Sequence, residues 1–153
     1  MTREHHYRLD LQWSGDHTRG YDSYTREHVI RIEGKPELIM SADPMFLGDR
    51  SLHNPEDLML AAIGSCHLLT YLALCARARI DVRSYRDKPA GTLLLTPEGG
   101  GHFTEVVLHP EVIVHDRSMI EKALHFHGEV HKYCFIARSV NFPIRCKANV
   151  RST

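Results

Sequence analysis

The segment from Leu58 to Ala78 constrains this chain more than any other, because its start is fixed by chemistry and its composition restricts what can surround it. Asn54 is a strong helix cap, Pro55 suits the first helical position, and Glu56 and Asp57 place negative charge at the positive end of the helix dipole. From there the chain is apolar on nearly every face to about Arg79. A helix that is apolar all round has to be enclosed on all sides. In a domain of 153 residues one sheet cannot wrap it, so a partner subunit is expected to supply the rest. The same stretch is long enough to test as a membrane span, but Gly64, Ser65, His67 and Thr70 interrupt it and no aromatic or basic belt flanks it. A buried core helix is the reading adopted.

The flanking sequence supplies strands. Tyr7, Leu9, Leu11 and Trp13 alternate with polar residues, predicting a half-buried strand. Residues 28–33 and 37–42 read as two more, joined by the Gly34-Lys35-Pro36 turn, and the three form an antiparallel N-terminal sheet. Residues 43–53 read as a loop. Beyond the apolar helix, residues 82–87, 91–96 and 103–115 read as strands, with a glycine-rich hairpin turn at residues 97–101. Ser118 and Glu121 are spaced as a capping box opening a second long helix, on which Ile120, Leu124, His127, His131 and Cys134 share a face. Alternation from Val140 to Val150 predicts one closing strand. No repeat or linker interrupts this order, so residues 1–153 read as a single α+β domain.

Charge excludes several functions. Nineteen basic residues balance nineteen acidic ones, which argues against a nucleic-acid or membrane-surface partner. The first ten residues are charged and carry no apolar signal core, so a cytoplasmic location is expected. In such a compartment the four cysteines, none in a CxxC pair, read as free or redox-active thiols. Cys66 lies within the apolar helix, where a cysteine often only fills space. It becomes a nucleophile only if a nearby cation or donor holds its thiolate, and His67, Arg19, Arg26 and the second-helix histidines are the candidates.

The run Asn54-Pro-Glu-Asp-Leu-Met-Leu-Ala-Ala-Ile-Gly-Ser-Cys66 resembles the NPE-x-L-x(2)-A-x(3)-A/S-C helix of the OsmC/Ohr hydroperoxide reductases. Cys134 falls where that family places its second cysteine, and element order agrees over nearly the whole chain. The resemblance implies an OsmC-like α+β fold, with antiparallel sheets around long central helices in an intertwined homodimer. It also implies a peroxidase in which Cys66 attacks the peroxide and Cys134 resolves the sulfenic acid to a disulfide. Glu56 matches the family's glutamate, and Arg26, rather than Arg19, matches the arginine that steadies the thiolate. Glu56 and Cys66 are ten residues apart on one helix, about 15 Å along its axis. They are therefore expected to meet only across a two-fold axis.

Ile63, Leu69, Phe135 and Met45 are expected to line a pocket suited to an organic hydroperoxide. No organic cofactor is implied, and an external dithiol, lipoyl or thioredoxin-like, would regenerate the enzyme. Where the best-known reductases follow the second cysteine with proline, this chain has Phe135. Two other readings stand beside this one: a non-catalytic stress or binding protein with an inert Cys66, and a His/Cys metal module built on His67, His127, His131 and Cys134. Cys75 and Cys146 read as structural.

Overall fold

Proline and glycine set most of the boundaries in the computed structural model, which describes residues 2–153. The described residues form two compact units, one running up to Leu58 and the other covering Met59–Thr153. The first holds a three-stranded antiparallel sheet of β1 (Asp10–Trp13), β2 (His28–Arg31) and β3 (Leu38–Met40). β1 begins later than the alternation suggested, and all four of its residues are exposed rather than half-buried. The loop at residues 43–53 contains a short 3-10 turn, Pro44–Phe46, capped by the Asp43 carboxylate. Gly48 follows it, where an added Cβ would fall inside the Ala42 carbonyl, so only glycine fits.

Helix α1 runs unbroken from Pro55 to Arg77. Its start has the chemistry read from sequence: the Asn54 side-chain oxygen accepts from the Asp57 N–H at 2.8 Å, and Asp57 accepts in return from the Asn54 N–H. Among its residues only Ile63, His67, Tyr71 and Cys75 are buried, a seam at four-residue spacing. Gly64 lets Pro89 come close, since a Cβ there would meet the proline ring at 2.9 Å.

The second unit carries two further sheets. β4 (Val82–Arg86), β7 (Glu111–Val114) and β9 (Asn149–Ser152) form one, and β5 (Ala90–Leu95), β6 (Gly101–Leu108) and β8 (Ile144–Cys146) the other. The β4–β7 and β5–β6 pairs are antiparallel, while β8 and β9 join β6 and β7 as parallel edges.

Two single strands expected from sequence are therefore each divided. The 103–115 stretch breaks at His109-Pro110 because proline has no N–H to give a ladder, and the chain changes sheets there. The closing strand follows alongside and changes sheets in step: Lys147 N–H donates to the Leu108 carbonyl and Asn149 N–H to that of Pro110, both at 2.8 Å.

α2 is shorter than expected, Ile120–Glu129, with 3-10 turns before it (Arg117–Met119) and after it (Val130–Lys132). The Ser118/Glu121 capping box does not form. Asp116 caps instead, accepting from both the Ser118 N–H and its hydroxyl at 2.8 Å. One core joins the α1 seam to α2 and the β7–β9 pair through Tyr71, Val112, Val114, Ala123 and Val130; a smaller one joins Ile63 to Val106 and Leu108. The chain is an α+β protein, as its element order implied.

Candidate active site

Cys66 stands on the shoulder of the buried α1 seam, half-buried, one residue before His67. Cys134 arrives from the other side, just past the 3-10 turn that ends α2. Its backbone is held there by hydrogen bonds from its N–H to the Val130 carbonyl and from the Arg138 N–H to its own. The two sulfurs are 2.7 Å apart, with the Cys134 S–H donating to the Cys66 sulfur. Both are free thiols. A disulfide needs about 2.05 Å, so bonding asks for a movement well under one ångström. The Ala137 N–H donates to the Cys134 sulfur at 3.4 Å. Burial, and then the hydrogen bond to Cys66, push the Cys134 thiol above its ordinary value, which keeps it a proton donor.

Arg26 and Glu56 belong to the first unit. The Arg26 guanidinium donates to the carbonyls of Tyr21 and Tyr24 and lies over both tyrosine rings, 3.9 Å from the Tyr24 centroid. It lines a cavity of about 360 Å³ with Trp13, Tyr24, His28 and Pro55. Glu56 occupies the first turn of α1. Among the described residues the carboxylates paired with arginines are Asp10, Glu37, Asp81 and Glu105, not Glu56. The structure thus brings the two cysteines together and shows no Arg26–Glu56 ion pair in the protomer. Of the expected pocket residues, Ile63 is buried, whereas Leu69, Phe135 and Met45 are exposed.

The histidines assemble differently from the sequence reading. α2 ends at Glu129, so His131 leaves its face; it is exposed, and its ring N–H donates to the Gly128 carbonyl. Cys134 is engaged with Cys66. The sulfur that approaches the buried histidines is that of Cys146, which the sequence reading had treated as structural. It lies 3.8 Å from His67 Nε2, and His67 Nε2 lies 3.0 Å from His127 Nδ1. Nothing in the local sequence signals this, because the parallel β6–β8 register, which places Cys146 opposite Leu108, is what delivers the sulfur. Burial lowers His67 to about 4, against the pull of the Asp87 carboxylate, and lowers His127 to about 3, with repulsion from His67 adding. Both rings are therefore neutral near pH 7. Tyr71 lies flat on His127 at 3.9 Å, and burial holds its phenol protonated.

The fold is thus α+β, and its site is a close pair of thiols, one sulfur on the central helix and the other after the second helix. The chain belongs to the OsmC-like protein family, whose pattern matches residues 48–149. It is 27% identical to the OsmC-like protein of unknown function VCA0330 from Vibrio cholerae, with a TM-score of 0.84 covering 95% of this chain and 100% of that one. It is 25% identical over 138 residues to the uncharacterized protein YmaD of Bacillus subtilis, covering 89% of this chain and 82% of that protein. The organic hydroperoxide resistance protein OhrB of Bacillus subtilis shares the fold at a TM-score of 0.62 and 15% identity, covering 95% of this chain and 98% of that one.

Proposed function

We propose that this protein is a cytoplasmic, homodimeric thiol peroxidase that reduces organic hydroperoxides. The observation that carries the proposal is the 2.7 Å approach of Cys134 to Cys66 with the donor on Cys134. The Cys66 thiolate attacks the distal peroxide oxygen; the O–O bond breaks, and the alcohol leaves with one proton, giving Cys66 sulfenic acid. The Cys134 thiol then attacks that sulfur, expelling water and forming the disulfide. An external dithiol, lipoyl or thioredoxin-like, reduces it by two exchange steps. Arg26 serves as the thiolate's cation and Glu56 orients it, completed in the dimer. A dimer is supported by α1 itself, a highly apolar helix with only four residues buried in the protomer. The organic hydroperoxide resistance proteins that share this fold agree with the reading.

The test is a count of free thiols before and after one equivalent of cumene hydroperoxide. Wild type is expected to fall from four thiols per chain by two, and Cys66→Ser by none. An unchanged count in wild type removes the proposal.

A further inference from the structure

Every element of the thiol-pair chemistry leaves His67, His127 and Cys146 unused. We propose that these three side chains form a binding site for a divalent transition metal of the zinc type, separate from the Cys66–Cys134 pair. Their ligand atoms all lie within 4.8 Å of one another. The measured separations are 3.0 Å between the two ring nitrogens and 3.8 Å from the Cys146 sulfur to His67 Nε2. A tetrahedral zinc with Zn–N near 2.0–2.1 Å and Zn–S near 2.3 Å spaces its ligand atoms about 3.3–3.6 Å apart. Small ring and thiol rotations reach that geometry. Two imidazoles and a thiolate are also the ligand set that zinc and its neighbours in the transition series prefer.

A second observation points the same way. His67 and His127 are 6% and 5% exposed, and their facing nitrogens, His67 Nε2 and His127 Nδ1, meet only each other and the Cys146 sulfur among the described residues. A pair of buried imidazoles with no carboxylate in hydrogen-bonding contact is an incomplete polar cluster, which a cation completes. The two rings are within 9° of parallel with centroids 5.3 Å apart, so their facing nitrogens share one hydrogen. On metal binding each ring keeps its single hydrogen on the nitrogen away from the ion, and the Cys146 thiol loses its proton, one released per ion. All three residues line a cavity of about 430 Å³, which leaves a fourth position for water or a small solute.

The test is cobalt(II) titration of the full-length, reduced, chelator-treated protein. One cobalt per chain is expected, with the visible bands of tetrahedral cobalt and the near-ultraviolet thiolate-to-cobalt charge-transfer band, both displaced by zinc. Cys146→Ser is expected to lose the charge-transfer band and His127→Ala to lose stoichiometric binding, whereas His131→Ala keeps both. Circular dichroism establishes that each variant is folded; if His127→Ala is not, Cys146→Ser alone decides the sulfur ligand. Absence of stoichiometric binding in wild type overturns the proposal. So does a charge-transfer band that survives in Cys146→Ser and disappears in Cys134→Ser, which would place the metal on the redox pair. Because this readout needs no peroxide, its failure and the failure of the peroxidase reading are separately visible.

Discussion

Oxidation of the thiol pair should stabilise the whole fold, and by an amount that the chain separation sets. Cys66 and Cys134 are 68 residues apart. Cross-linking a loop of that length removes denatured-state entropy of roughly 15 cal/mol/K, or about 4 kcal/mol at 25 °C. The native state gives little of this back, since the sulfurs already lie within an ångström of bonding distance. For a protein of this size each kcal/mol moves the melting temperature by about 2–4 °C, so one equivalent of hydroperoxide should raise it by roughly 8–16 °C. The assay is thermal unfolding of reduced and peroxide-treated protein, each also run after dithiothreitol. Dithiothreitol should return the treated sample to its starting value, and Cys134→Ser should show no rise. A treated wild type that melts where the reduced one does would refute the reasoning, as would a rise that persists in Cys134→Ser. The coupling is reciprocal: a disulfide that stabilises the fold is equally stabilised by it, which makes the reductant, not the resolving step, the demanding partner.

Three further outcomes are expected. Ile63→Ala, at a residue 1% exposed and packed on Val106 and Leu108, should cost about 2–4 kcal/mol in urea unfolding; a loss below half a kcal/mol would mean that this small core does not hold α1. Leu69→Glu, at an α1 residue that is 66% exposed in the protomer, should convert the proposed dimer to monomer in sedimentation velocity, and a monomeric wild type defeats the premise. Asp116→Ala should lower the melting temperature more than Glu121→Ala, since Asp116 holds the turn that opens α2; the reverse order would restore the capping box read from sequence.

What was legible in the sequence was what local chemistry decides. Asn54, Pro55 and Asp57 state where α1 begins in terms that no tertiary contact has to supply, and the structure uses them in that way. Errors arose where local signals competed. Ser118 and Glu121 have the spacing of a capping box, but Asp116, two residues earlier, accepts from the Ser118 N–H and its hydroxyl and takes the position. The division of the last strand was hidden for a different reason. Alternation from Val140 to Val150 is continuous, and the break at Lys147-Ala148 follows the neighbouring strands, which change sheets at Pro110. Cys146 next to His67 was out of reach altogether, because a parallel register between strands far apart in the chain leaves no periodic mark.

Adjacent positions on α1 are turned about 100° from one another, and here that rotation separates two sulfur environments. Cys66 faces Cys134 while His67, the next residue, faces His127 and Cys146. Cys134 therefore has a sulfur as its nearest partner and Cys146 an imidazole, although both line the same cavity. The seam of Ile63, His67, Tyr71 and Cys75 carries the packing of the helix, and Cys66 lies beside it. Closing the Cys66–Cys134 bond moves one sulfur by less than an ångström at the edge of the seam and leaves the seam in place. Because Cys134 is itself a buried member of the larger core, the proposed cycle of oxidation and reduction leaves that core packed only while the sulfurs close by so small a movement.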